Sequence, residues 1–378
     1  MIDWLLKKAD LNLDWWLLVP TIPLIGFGLV TMNSFTGQSY YFNRQLSWVL
    51  FSYALALLLA CIDWRFLRKS WVLVGLYLPV LLILILLFVV GHISNGAQSW
   101  LSLGGFSLQP ADFMKIILIL ILAKYFSKRH IEIANIRHII VSGVYALIPL
   151  LAILFQPDLG SAMIIFLIWL GMVLVSGISK KHLLLVFGAV FLVSAVAWFA
   201  VLAPYQKDRI KTFIYPLADI HKTGYNAFQS TVVVGSGGWF GKGVGYGTQS
   251  RLKFLPEYQT DFIFSAYAEE WGFFGVLILF SLFGLIIWRI LANAMMGASN
   301  FEILFGLGLA IMLLSHFIIH VGMNIGILPV TGLPMPFMSY GGSHLFAEFL
   351  GLGILLGMRR YSLAFHRDDV KNEFIGPQ

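Results

Sequence analysis

The group in this chain best placed to do chemistry is Asp261, a carboxylate where a long polar loop turns back into an apolar helix, in Leu255-Pro256-Glu257-Tyr258-Gln259-Thr260-Asp261-Phe262. The loop, residues 204–261, carries seven Lys or Arg (Lys207, Arg209, Lys211, Lys222, Lys242, Arg251, Lys253) and four acids. A water-facing acid beside cations at a bilayer surface suits general-base chemistry on a polar acceptor, with an anionic lipid as substrate class. The position also suits a structural task, because an Asp before a helix accepts backbone N–H bonds and meets the positive end of the helix dipole. Both readings stand at this level.

Asp112 and Lys115 lie three residues apart, hence on one face of a helix opened by Pro110. A lysine buried in a membrane needs a partner, so a structural ion pair and a substrate contact are both open. If the pair is purely structural, exchanging the two charges is expected to restore it in part. Glu269 and Glu270 follow Asp261 by about two turns and are costly in a membrane unless paired or wet, so they are expected to shape the potential of a substrate cavity. Residues 235–247 hold seven glycines around Lys242. They are no Walker A loop, since Gly243 stands where Ser or Thr is needed. A flexible connector and a backbone nest that, with Lys242, receives a diphosphate remain. His316 and His320, at i and i+4, have no intervening Glu and no second Cys or His cluster, so they read as helix-packing polar groups rather than a metal site. Glu348 is a lone acid in an apolar run, and a nearby histidine could pair with it.

The elements that must position these groups are membrane spans. Of 378 residues, 59% are hydrophobic and only 11% charged, against about 25% charged in soluble domains; the mean hydropathy is +0.85. Ten apolar runs, near 15–34, 46–62, 70–91, 110–127, 138–155, 158–178, 182–203, 262–288, 303–322 and 343–359, approach the roughly 20 residues that cross a bilayer. The expected fold is an all-α polytopic membrane protein, one domain over 1–378, with the large extracytoplasmic loop between spans 7 and 8. Lys7 and Lys8 precede an apolar run too long for a signal-peptide core, so the first span is expected to stay as an anchor. The lone cysteine, Cys61, excludes an intrachain disulfide. With both termini cytoplasmic, the inner segments and span ends hold Lys7, Lys8, Arg65, Arg68, Lys69, Lys124, Lys128, Arg129, Arg137, Lys180, Lys181, Arg289, Arg359, Arg360, Arg367 and Lys371, and the short outer ones only Arg44. The net charge of +7 is therefore topological and not a nucleic-acid footprint. Residues 323–343, uncharged and with three prolines, cannot form a regular helix. They are expected to fold back against protein or a wet cavity, as is Asn95-Gly96-Ala97-Gln98-Ser99-Trp100.

Taken together, Gln109-Pro110-x-Asp112-x-x-Lys115, Gln156-Pro157-Asp158-Leu159-Gly160-Ser161, Pro204-Tyr205-Gln206 with Arg209-Ile210, Gly224-Tyr225-Asn226, Gly241-Lys242-Gly243, Leu255-Pro256-Glu257 with Thr260-Asp261-Phe262, Glu269-Glu270-x-Gly272-Phe273-x-Gly275 and Asn324 through Ser343 resemble the SEDS family, in its RodA type, over nearly the whole chain. The resemblance implies a bacterial cytoplasmic (inner) membrane peptidoglycan glycosyltransferase. Such an enzyme polymerises lipid II into glycan strands during cell elongation, in complex with a class B penicillin-binding protein transpeptidase. It implies the catalytic acid at Asp261, the fourth-span acid and lysine at Asp112 and Lys115, and a lipid-tail groove beside spans 2 and 3. Asp261 is then expected to take the acceptor proton, with Arg209, Lys242 and a divalent cation such as Mg or Mn stabilising the departing diphosphate. Asp112, Lys115, Glu269 and Glu270 are expected beside them as substrate-binding groups. No organic cofactor and no protein-only metal site are expected; membrane lipids and lipid II are the partners besides the transpeptidase. The family usually has Glu at position 112 and Arg at position 99, where this chain has Asp112 and Ser99. A lipid II flippase, an FtsW-type division polymerase and a non-catalytic scaffold are the alternatives.

Overall fold

A computed structural model describes residues 13–34, 39–90, 92–94, 97–103, 106–128, 136–200, 204–215, 224–252 and 254–373. Lys7, Lys8, Asn95, Gly96, Arg129, Lys222 and Lys253 lie outside the described residues, as do the side chains of Ser99, Arg209, Arg251, Arg367 and Lys371.

Each of the ten apolar runs is helical. The first is split at Val19-Pro20 into α1 (Trp15–Leu18) and α2 (Thr21–Ser34). Then come α3 (Ser39–Ala60), a short 3-10 helix (Trp64–Arg68), α4 (Ser70–Val90), α5 (Pro110–Ser127), α6 (Ile136–Phe155), α7 (Leu159–Val175) and α8 (Lys180–Ala200). The long loop forms α9 (Pro204–Ile214), α10 (Tyr225–Ser236) and α11 (Thr248–Arg251), before α12 (Ile263–Met295), α13 (Asn300–Asn324) and α14 (Gly342–Glu373) close the chain. Trp15–Ser34, Ser70–Leu87, Ile136–Phe155, Ile263–Met295 and Asn300–Asn324 are apolar and long enough to cross a membrane on length and composition alone. Others carry the polar residues a site needs: Gln45 in α3, Asp112 and Lys115 in α5, Glu348 in α14. The protein is a multi-pass membrane protein.

Two segments depart from expectation. Between α4 and α5 the chain does not simply fold back. It forms β1 (His92–Ser94), β2 (Ala97–Leu103) and β3 (Phe106–Leu108), an antiparallel meander that satisfies its backbone by pairing. And α12 is not one continuous helix: Gly272, at φ 65° and ψ −166°, breaks it.

Burial sorts the helices. α5 is covered nearly all round, from Pro110 to Phe126, and α13 is buried over most of its length. By contrast α4, α6 and α8 expose Leu82, Ile85, Ile140, Leu147, Leu184 and Leu192. Helices apolar on every side divide in this way between protein interior and lipid. The loop 204–261 has a small core of its own: Val233, Leu255, Tyr258, Phe262 and Ala266, with Val330 packed against it. That core joins the loop to the start of α12 and to the segment after α13.

Charged residues gather at the far end of the bundle. Asp14, fully buried, receives Arg289 at 2.5 Å, Asn293 at 2.7 Å and Arg359 at 3.3 Å. Arg68 meets Glu302 at 2.7 Å, and Tyr361 bonds the same carboxylate. Asp63 caps the 3-10 helix through the Arg65 amide at 3.0 Å, and hydrogen bonding from the Arg65 side chain holds its carboxyl below the usual range.

Candidate active site

Asp261 sits outside the helix it precedes. The first residue of α12 is Ile263 and its cap position is Phe262, so the simple N-cap expectation is off by one residue. What holds the turn is Glu257, left-handed at φ 51°, whose carbonyl accepts the amides of Thr260, Asp261 and Phe262 at 3.2, 3.1 and 3.3 Å. Asp261 itself is half-buried. A Cβ at Gly332 would lie 3.5 Å from Asp261 Oδ2, so the carboxylate faces the non-helical segment after α13. That segment and the last residue of α13 also grip the turn's backbone. Tyr340 N donates to Gln259 O at 2.8 Å, Ser339 Oγ to Thr260 O at 2.7 Å, and Asn324 Nδ2 to Asp261 O at 3.0 Å.

Asp112 and Lys115 are each 2% exposed and joined at 2.9 Å. Pro110 and Asp112 in the first turn of α5 follow ordinary helix-start chemistry, but the pair is not isolated. Lys115 Nζ lies 3.4 Å from His316 Nε2, Ser343 Oγ donates to Asp112 Oδ2 at 3.2 Å, and His344 Nδ1 lies 3.4 Å from Asp112 Oδ1. His344 Nε2 reaches Glu348 Oε1 at 3.1 Å, and Glu348 Oε2 accepts the amide of Phe337 at 3.0 Å. His320 Nδ1 bonds Leu333 O at 2.7 Å. Asp112, Glu348, Lys115, His316 and His344 thus share one buried network across α5, α13 and α14. In a medium where a lone charge is costly, such mutual pairing is what permits it. Residues 333–341 touch this network on one side and the Asp261 turn on the other. Glu348 is therefore not alone: its partner is His344. The i and i+4 spacing of the two on α14 was the available signal.

Lys242, Glu269 and Glu270, expected as substrate contacts, bond one another and the glycine-rich loop. Glu269, fully buried, accepts Lys242 Nζ at 2.8 Å, the amides of Gln249 and Ser250 at 3.0 and 3.1 Å, and Ser250 Oγ at 2.7 Å. Glu270 accepts the Gly245 amide at 2.8 Å and Thr31 Oγ1 at 3.1 Å. Lys242 also donates to Thr248 Oγ1 at 2.9 Å. Both carboxylates anchor the glycine-rich loop. The amides at the centre of that loop, which a phosphate nest would need, are bonded to α12 instead. Lys242 N and Gly243 N bond Glu269 O and Glu270 O at 2.9 and 3.0 Å, while Phe273 N and Phe274 N bond Gly238 O and Trp239 O at 2.9 and 3.2 Å. The loop supplies the hydrogen bonds that the break at Gly272 removes from α12. Its glycines are needed for that approach: a Cβ at Gly241, itself at φ 78°, would fall 2.1 Å from Glu270 O.

Arg209 belongs to α9, but its side chain lies outside the described residues. Gln109 Nε2 bonds Asp158 Oδ2 at 2.9 Å, and Asp158 caps α7 through Ser161 N at 2.9 Å, so the two Gln-Pro motifs meet in space. Among the described residues no three His, Cys, Asp or Glu side chains converge as metal ligands. What the arrangement offers is a partly exposed carboxylate on a rigidly held turn, a geometry suited to a general base.

Residues 13–363 match the FtsW, RodA and SpoVE family, described as cell cycle proteins. The Escherichia coli K12 peptidoglycan glycosyltransferase MrdB is 34% identical over 354 residues, 93% of this chain and 94% of that protein. A probable peptidoglycan glycosyltransferase FtsW of Thiomicrospira cyclica is 36% identical over 366 residues, 91% of each. Among solved structures, a chain from a peptidoglycan synthase complex superposes with a TM-score of 0.80 at 32% identity, covering 93% of this chain and 98% of its own. The rod shape determining protein RodA of Thermus thermophilus does so at 0.70 and 31% identity, covering 93% and 98%.

Proposed function

The chain belongs to the FtsW, RodA and SpoVE family, and on that premise we propose that it is a peptidoglycan glycosyltransferase polymerising lipid II outside the bacterial cytoplasmic membrane. The observation that carries the catalytic assignment is the half-buried Asp261 on a turn pinned by three separate donors. In the proposed step an acceptor sugar hydroxyl attacks the anomeric carbon of the donor. The new C–O bond forms as the bond to the undecaprenyl diphosphate breaks, the hydroxyl proton passes to Asp261, and the diphosphate leaves with its negative charge. General-base help of this kind contributes about 10²–10⁴-fold.

Lys242 is already neutralised by Glu269, so charge stabilisation at the diphosphate is assigned first to Arg209, with Lys242 fixing the loop. A divalent cation, Mg or Mn, carried by the substrate is tested alongside. A class B penicillin-binding protein is the proposed crosslinking partner, supported by the likeness to a synthase complex in which polymerization and crosslinking are coordinated. The RodA-type motifs favour elongation; complementation of cells depleted of the elongation or the division polymerase tests it. The cation-rich helix ends around Asp14 and Glu302 lie at the opposite end of α12 and α13 from Asp261, which supports cytoplasmic termini and an outward catalytic loop.

The decisive experiment is polymerisation of purified lipid II by the wild type and by Asp261→Asn, with and without divalent cation. Asp261→Asn keeps shape and fold but removes the base, so polymer formation is expected to drop at least about 100-fold. Near wild-type activity in that variant would rule out the general-base role, and an inactive wild type would favour the flippase or scaffold alternatives.

A further inference from the structure

Taking the polymerase reading as the starting point, we infer that Asn324 and Ser339 are positioning residues for Asp261, acting on its main chain and not on the substrate. Three consecutive carbonyls, Gln259, Thr260 and Asp261, each take one hydrogen bond from the stretch between Asn324 and Tyr340, at 2.8, 2.7 and 3.0 Å. Two of these three donors are side chains, so substitution can remove them one at a time.

The need for such a clamp follows from where Asp261 lies. Ladder bonding of α12 begins after it, and on the upstream side three amides and the Thr260 hydroxyl converge on the carbonyl of Glu257. An unclamped helix entrance frays, and a displacement of about 1 Å at a catalytic group can cost about 10²-fold. Asn324 is fully buried and uses both ends of its amide. Its Nδ2 donates to Asp261 O and to His320 O at 2.8 Å, while its Oδ1 accepts Ser265 Oγ at 2.6 Å. An amide can do this and an isosteric carboxylate cannot, because Asp carries no N–H. Ser339 is held in turn: its carbonyl accepts Gln45 Nε2 at 3.1 Å, and its hydroxyl accepts the Met335 amide at 2.8 Å. The clamp is therefore anchored to α3 as well as to α13.

The test uses the full-length protein in detergent or vesicles with lipid II. Ser339→Ala and Asn324→Asp are expected to lower kcat about 10- to 100-fold while KM stays within about twofold, the signature of a lost transition-state contribution without lost binding. Ser339→Thr, which keeps the hydroxyl, is expected to retain most of the rate. Ser281→Ala, which removes an exposed hydroxyl bonded within its own helix, is expected to change nothing. Amide hydrogen exchange supplies a readout independent of turnover: in the wild type, peptides covering Asp261 and Tyr340 should be protected together, and in Ser339→Ala both should exchange faster. An unchanged kcat in Ser339→Ala, a threonine variant as slow as the alanine, or a wild-type Tyr340 amide exchanging like an open loop each overturns the inference. A wild type that makes no polymer removes the polymerase reading and this role together. A polymerising wild type with Asp261→Asn inert and Ser339→Ala unimpaired removes this role alone.

Discussion

At the residue scale, the pair Asp112 and Lys115 shows how surroundings change what a charge does. Spacing alone placed them on one face of α5, and they do meet at 2.9 Å. Only the fold adds His316, Ser343 and His344 around them, residues more than 200 positions away. Lys115→Met leaves a buried carboxylate without its strongest partner, so a loss of about 3–5 kcal/mol is expected, read as a lowered unfolding midpoint in detergent. Considered as an isolated pair, the charge exchange Asp112→Lys with Lys115→Asp looked restorative. In its true setting the exchange points an ammonium at His344 and Ser343, where a carboxylate now accepts. Little recovery of the midpoint is therefore expected, and full recovery would show the histidine contacts to be incidental.

At the scale of elements, the glycine-rich loop and the broken α12 form one unit. Glycine content was plain in residues 235–247, yet its purpose was not, because the partner carbonyls belong to Glu269 and Glu270. Two substitutions of the same type separate the cases. Gly241→Ala adds a Cβ at positive φ, 2.1 Å from a helix carbonyl, and is expected to cost at least the roughly 1–3 kcal/mol of a strained backbone position. Gly235→Ala lies inside α10 with nothing within 4 Å and is expected to be neutral or to stabilise by about 0.5–1 kcal/mol. Thermal unfolding of the two variants, with polymerisation activity as a second measure, checks the contrast. Equal behaviour would mean that the loop does not repair the break.

At the scale of the whole molecule, the proposed orientation has a direct chemical test. Cys61 is exposed just beyond the end of α3, on the side assigned to the cytoplasm, and it is the one cysteine of the chain. A membrane-impermeant maleimide is expected to label it in inverted vesicles and not in intact spheroplasts. With Cys61→Ser as background, Tyr246→Cys, at a position 70% exposed in the loop 204–261, should show the reverse. Labelling of Cys61 from outside would invert the topology and place Asp261 where no extracytoplasmic substrate could reach it.

Ten helices could be read from the chain because twenty-residue apolar runs are a local property, set by bilayer thickness. Asp261 stood out for a related reason, since an acid at the start of an apolar run is visible without knowing its neighbours. The three-stranded meander, the break at Gly272, the histidine network and the clamp on Asp261 all depend on contacts between distant segments. Composition marks Glu269 and Glu270 as costly membrane acids, and tertiary packing supplies the loop amides that satisfy them, because a buried carboxylate takes whatever donors the fold delivers to it. Residue type and spacing were enough to say which side chains carry charge into the membrane and roughly how deep they lie. Which of those charges face a substrate and which only hold the frame was decided by where the helices place their partners.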